Sequence, residues 1–180
     1  MLTGLNFGTL DMVAVGQVFG IVLSVVGFFI YLAKTRKGIL IAKLTCDAGY
    51  CIQQLMLGAT TGALINCIAI FRDVVFYYRN DKKWAGHRFW LYFFAVVMGL
   101  TPVLTWMGPV SLLPAVGSVV AVFAFYCQKP QHTRILSLGA MIPWMLYAFL
   151  ITNYGLMLTT IIQIVSAVLG LIRDHRENKR

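Results

Sequence analysis

Seven long apolar runs, separated by short polar breaks, dominate the 180 residues of this chain. A helix needs about 20 mostly apolar residues to cross the hydrocarbon of a bilayer. Only 12% of the residues are charged, which is about half the share found in an ordinary soluble domain. The pattern predicts an all-α integral membrane protein whose surroundings are the lipid bilayer. The predicted helices cover residues 12–33, 38–57, 59–78, 89–107, 109–127, 135–152 and 155–173.

The positions of lysine and arginine predict how the seven spans are oriented. Basic residues occupy the breaks after the first, third, fifth and seventh spans. Residues 1–11, Gly58, and the breaks at 107–109 and 153–155 contain none. Because basic residues concentrate in cytoplasmic loops, we expect the N-terminus outside and the C-terminus inside. We expect no cleaved signal peptide, since the residues before Val13 lack the basic start of such a segment.

A weak internal repeat divides the seven spans into three, one and three. At an offset of 93 residues the first three spans superpose on the last three, and Asn66 falls on Thr159. With one helix between them, the two units point the same way, as in transporters built from parallel repeats. Chance alignment of hydrophobic segments is the alternative. The predicted organisation is one membrane domain over 1–180, with a first three-helix unit (12–78), a linker helix (89–107), a second unit (109–173) and a cytoplasmic tail (174–180).

Four ionisable residues fall within the predicted spans. Lys43 and Asp47 lie four residues apart and share one face of the second helix. Arg72 and Asp73 lie at a similar depth on the antiparallel third helix, so an ion pair between Asp47 and Arg72 is expected. Such residues usually face the interior of a bundle. We predict either a gate that closes the protein toward the cytoplasm or a structural charge network; the alternative for Lys43 and Arg72 is snorkelling to the headgroups.

Uncharged polar and aromatic residues follow the same interior faces. We predict that they line a central cavity that binds a small polar solute. Trp144 lies in mid-span with Tyr147 one turn further on, which favours a stacking surface for a ring-shaped solute. The alternative is that these side chains only join neighbouring helices by packing and hydrogen bonds. The candidate substrate-binding residues are Tyr50, Gln54, Asn66, Trp144, Tyr147, Thr159 and Gln163.

Three ordered landmarks resemble a known family. They are the run LGATTGA at 57–63 with Arg72 downstream, the run LLP at 112–114, and Trp144 three residues before Tyr147 with Arg173 further on. Over nearly its whole length the chain resembles the YgjV family of bacterial inner-membrane proteins. The resemblance implies a multi-pass protein of the bacterial inner (plasma) membrane and defines no biochemical role.

A more distant resemblance concerns the arrangement of the spans. The three, one and three plan is similar to that of SWEET sugar carriers and of nicotinamide riboside carriers. In SWEETs, asparagines on the third and seventh helices contact the sugar; Asn66 matches the first position, and Thr159 stands at the second. This resemblance implies a carrier for a sugar-like or vitamin-precursor-like solute.

These observations leave two classes of function open. The first is a carrier that works by alternating access without ATP hydrolysis, since no ATP-binding motif is present. The second is a non-transporting structural or interaction protein of the inner membrane, in which the polar residues are fully paired. We expect no enzyme, cofactor or metal site, because zinc-protease and nucleophile-elbow motifs are missing and the cysteines lack metal spacing. The net charge of +9 is explained by the basic loops that orient the protein in the membrane, so no nucleic acid partner is expected. The sequence does not decide whether the chain forms a homo-oligomer.

Overall fold

The chain is all-helical in a computed structural model that describes residues 7–106 and 108–177, with side chains for 12–106 and 108–176. Within these ranges seven α-helices match the seven predicted spans. The predictions for residues 1–6, Met107 and 178–180 lie outside the described residues. The helices are α1 (Phe7–Ile30), α2 (Arg36–Met56), α3 (Thr60–Tyr77), α4 (Phe89–Leu104), α5 (Leu112–Tyr126), α6 (Pro130–Leu150) and α7 (Tyr154–Glu177).

Five of the described helical segments are long and apolar enough to cross a membrane: α1, α3, α6, α7, and α5 together with the three-residue turn before it (Pro109–Tyr126). Helices α2 and α4 do not meet this criterion, for two separate reasons. Helix α2 carries Arg36, Lys37, Lys43 and Asp47, and α4 is apolar but has only 16 residues. The outer surface is rich in large exposed apolar side chains, whereas charged and amide groups are buried inside. This distribution is that of a protein surrounded by lipid.

The predicted start of the sixth helix at residue 135 is wrong by about one turn. Helix α6 begins at Pro130, because proline fits the first helical position, where its missing N–H has no intrahelical partner. The polar residues that follow, including Arg134, are therefore part of the helix. Arg134 is fully buried.

Two tight hairpins join α2 to α3 and α6 to α7, as predicted. Gly58 takes a left-handed conformation (φ 71°) in the first hairpin, and Thr152 takes one (φ 56°) in the second. Asn153 then caps α7, since its Oδ1 accepts a hydrogen bond from the Leu156 N–H at 3.0 Å.

Consecutive helices pack side by side, and α1 meets α7 to close a ring. Helix α4 touches α3 and α5, which also contact each other directly, so α4 lies outside the ring. The contact between α1 and α7 is close at two glycines. A Cβ added to Gly155 would lie 2.8 Å from the Cα of Gly20.

At an offset of 94 residues, one more than the offset of 93 taken from the sequence, the bounds of α2 coincide with those of α6. Helices α2 and α6 both have 21 residues and begin at Arg36 and Pro130, which are 94 positions apart. Helices α3 and α7 begin at the same separation, and so do the two left-handed residues. A hydropathy pattern does not distinguish two offsets that differ by one residue. A shift of one residue nevertheless turns a side chain by about 100° around the helix axis. At an offset of 94, Asn66 falls on Thr160, whereas at an offset of 93 it falls on Thr159.

Candidate functional site: a central polar cavity

A cavity of about 60 Å³ lies at the centre of the ring. A buried water needs about 10–15 Å³ of such space, so the cavity has room for a few water molecules. Helices α2, α3, α5, α6 and α7 line it, together with Tyr31 just after α1. The uncharged polar residues in its wall are Tyr31, Tyr50, Asn66, Ser118, Ser137, Thr160 and Gln163.

A network of four charged residues lies beside the cavity. Lys43 forms an ion pair with Asp47 on the same helix. Arg72 Nη2 lies 3.2 Å from Asp47 Oδ2 and 2.7 Å from Asp73 Oδ1. The predicted pair between Asp47 and Arg72 is therefore present. Two positive and two negative groups balance, which lowers the cost of holding them away from water.

Three of the four charged residues border the cavity, and two of them lie over the ring of Phe125, which also borders it. Lys43, Asp47 and Arg72 line the cavity, whereas Asp73 supports Arg72 from behind. The Arg72 guanidinium carbon lies 5.0 Å from the ring centre of Phe125, and Lys43 Nζ lies 5.9 Å from it. The Arg72 side chain is only 2% exposed. Snorkelling to the headgroups is therefore excluded for Arg72.

Four of the candidate binding residues reach the cavity: Tyr50, Asn66, Trp144 and Gln163. Asn66 is 5% exposed, and its Nδ2 has no hydrogen-bond partner among the described residues. An unpaired buried amide is costly, by about 1–3 kcal/mol. A polar molecule in the cavity would remove this cost.

The other three candidates, Gln54, Tyr147 and Thr159, lie outside the wall of the cavity. Gln54 packs against α3 at Gly62, where an added Cβ would lie 1.5 Å from its Oε1. Thr159 faces α1 and donates a hydrogen bond to its own helix at Gly155 O, 2.9 Å away. Tyr147 is buried behind Trp144, with the two ring centres 5.8 Å apart. The structure thus places these three side chains against neighbouring helices and not in the wall of the cavity.

Sequence reasoning missed Tyr31, Ser118, Ser137 and Thr160. The offset of 94 would have found two of them. It pairs Thr160 with Asn66 and Ser137 with Lys43, and all four residues line the cavity. The same offset pairs further lining residues: Tyr50 with Trp144, Asp47 with Met141, Ala69 with Gln163, and Tyr31 with Phe125.

Buried arginines close the bundle at the end nearer the charged network. Arg36 donates from Nη2 to Phe76 O (2.8 Å) and from Nε to Cys127 O (3.1 Å), at the ends of α3 and α5. Arg134 donates from Nε to Tyr31 O (2.9 Å), just past the end of α1. A positive charge at these positions stabilises the negative end of each helix dipole. These residues therefore join the first three helices to the last three.

Amide side chains join the same helices at the opposite end. Gln53 Nε2 donates to Asn153 Oδ1 at 3.0 Å. Gln17 donates to Thr152 O at 3.0 Å and accepts from the Gly155 N–H at 3.3 Å. Contacts between helices thus lie at both ends of the central cavity.

An apolar exterior, a buried polar centre and several helices long enough to span define a multi-pass membrane protein. The chain matches the Imp-YgjV family, described as a bacterial inner membrane protein, over residues 14–178. The chain belongs to this family, and its location is the bacterial inner membrane. No curated protein and no solved structure shows significant similarity to it.

Proposed function

We propose that this protein is a carrier that moves a small, uncharged polar solute across the inner membrane by alternating access, without hydrolysing ATP. The observation that supports this most directly is Asn66. Its buried amide borders the central cavity, and its Nδ2 has no partner among the described residues. Intramembrane polar groups that line a cavity are typical of transport pathways.

The carrier would consist of two parallel three-helix units, α1–α3 and α5–α7, with α4 as the linker. Three observations support this division. The middle helix of each triplet contacts both of its neighbours, and α4 lies outside the ring. The helix bounds agree at an offset of 94, and the cavity wall contains pairs of residues at the same offset. In such carriers the binding site lies between the units, near the middle of the membrane.

The chemistry of the cavity favours an uncharged solute. The charged residues beside it balance one another, so no charge on the solute is needed for neutrality. The remaining polar groups in the wall are amides and hydroxyls, and Tyr50 and Trp144 add aromatic surface. Sugar-like and vitamin-precursor-like molecules have the matching chemistry. They exceed about 60 Å³, so the two units would have to separate for them to enter.

The orientation proposed is N-terminus outside and C-terminus in the cytoplasm, as the basic loops predict. The charged network and Arg36 and Arg134 would then close the cytoplasmic end. The amide contacts of Gln17 and Gln53 would lie at the outer end. Alternating access would open one end of the bundle at a time.

A non-transporting interaction protein is the competing function. It requires a dry bundle in which every buried polar group is paired. The cavity beside Asn66 and its unpartnered amide favour the carrier.

The test is uptake by proteoliposomes with a panel of radiolabelled sugars and vitamin precursors. We expect saturable uptake of one solute class and a loss of about tenfold in Asn66→Ala, the equivalent of about 1.4 kcal/mol of binding. Asn80→Ala is the matched control, because Asn80 is an exposed residue of the loop after α3. Equal flux in the two variants for every solute would contradict the proposal.

A further inference from the structure

A second pocket of about 190 Å³ lies where the first hairpin and the start of α3 meet the turn before α5 and the end of α6. Its wall contains residues 57–59 of the first hairpin, together with Thr61, Ser111 and Tyr147. The hairpin places it at the end of the bundle opposite the charged network. Its wall combines these hydroxyl groups with apolar residues such as Leu57, Val110 and Leu150, and its volume is larger than that of the central cavity.

Two aromatic rings separate this pocket from the central cavity. Trp144 borders the central cavity and Tyr147 borders the second pocket. The two rings meet edge to face, with their centres 5.8 Å apart. The Tyr147 side chain also lies against the backbone of Gly62 in α3. Tyr147 therefore joins α6 to α3 across the boundary between the two spaces.

The corresponding position on the other side of the bundle is filled. Gln53, 94 residues before Tyr147, binds Asn153 at the start of α7. A Cβ added to Gly20 would lie 2.1 Å from Gln53 Nε2 and 3.0 Å from the Cα of Gly155. Helices α1, α2 and α7 thus leave no room for a solute at Gly20.

We propose that the second pocket is the external vestibule of the carrier and that Tyr147 is its gate. The solute, of the same uncharged polar class, enters the vestibule and passes into the central cavity when the Tyr147 contact with Gly62 breaks. The packed contact between α1 and α7 stays closed and acts as the pivot. This inference rests on the proposed carrier function and adds an entry route to it.

The test measures access to the central cavity without any solute. The native cysteines are replaced, and Thr160→Cys introduces a thiol at the cavity wall. A membrane-impermeant methanethiosulfonate reagent is applied to the outside of right-side-out vesicles. We expect Tyr147→Ala to raise the labelling rate about tenfold or more, because the ring that contacts Trp144 and closes the boundary between the two spaces is lost. Tyr147→Phe should give a smaller rise, and the matched control Gln53→Ala should give none.

Three results would overturn the proposal. They are an unchanged labelling rate in Tyr147→Ala, an equal rise in Gln53→Ala, and a rise seen only from the cytoplasmic face in inverted vesicles. The thiol introduced by Ala167→Cys, at a fully buried position of α7, monitors the fold. If that thiol also reacts in Tyr147→Ala, then Tyr147→Phe decides the outcome. Failure here leaves the uptake experiment with Asn66 unaffected, so the two proposals fail separately.

Discussion

Replacing Gly155 by alanine measures how much the close contact between α1 and α7 contributes to stability. The added Cβ would lie 2.8 Å from the Cα of Gly20, 3.0 Å from its carbonyl carbon and 2.9 Å from Gln53 Nε2. Non-bonded carbon atoms prefer about 3.5–4.0 Å, so relief requires a movement of about 1 Å. Both carbon neighbours belong to the backbone of a helix, which moves only as a unit. The helices must therefore separate, and the contact of Gln17 with the Gly155 N–H weakens with them.

Overpacking of this kind costs about 1–3 kcal/mol, and we expect Gly155→Ala to lower the free energy of unfolding by that amount. Gly139→Ala is the matched control, because Gly139 is exposed on α6 and an added Cβ there meets nothing within 4 Å. Since glycine is a poor helix former, the control should be neutral or gain up to about 1 kcal/mol. The assay is reversible unfolding in mixed micelles, followed by circular dichroism. If the two variants agree within about 0.5 kcal/mol, the range of ordinary surface substitutions, the contact is not as tight as described.

Two further predictions concern the charged residues. Asp47→Asn should lower the free energy of unfolding by about 3–5 kcal/mol, because the buried charge of Arg72 then lacks one of the two carboxylates that neutralise it. The double variant Asp47→Asn/Arg72→Gln should lose less than the sum of the single losses, and strictly additive losses would argue against the pair. Arg134→Gln removes charge-assisted hydrogen bonds to carbonyl oxygens, each contributing about 1.5–3 kcal/mol. Lys37→Gln, which breaks an exposed pair with Asp81, should have little effect in the same unfolding assay, and equal losses would contradict the burial of Arg134.

The order of the helices and one ion pair could be predicted from the sequence. Each helix follows from an apolar run long enough for the bilayer, which only a regular helix can satisfy. The pair between Asp47 and Arg72 follows from helical spacing and from similar depths on antiparallel neighbours. These predictions depend on distance along the helix axis, which the sequence gives directly at about 1.5 Å per residue. The orientation in the membrane stays a prediction.

The rotation of each helix about its axis could not be predicted in the same way. Helix α2 carries Tyr50, Gln53 and Gln54 close together, and all three are buried against different neighbours. On α7, Thr159 and Thr160 are both buried, but only Thr160 reaches the cavity. When polar residues occupy several faces, hydropathy does not say which face is central. Packing decides it, for example the glycines that bring α7 against α1.

The short length of α4 has a consequence for the surrounding lipid. Its 16 residues correspond to a helix of about 24 Å, whereas the hydrocarbon core measures about 30 Å. Val103 and Leu104 at its end are 76% and 80% exposed, so acyl chains contact this helix directly. Lipid next to α4 must thin to match it, at a cost of a fraction of a kcal/mol per ångström. We therefore expect the bilayer to be most compressed beside α3 and α5, the two helices that pack against α4, so that membrane thickness acts first on the packing of these helices.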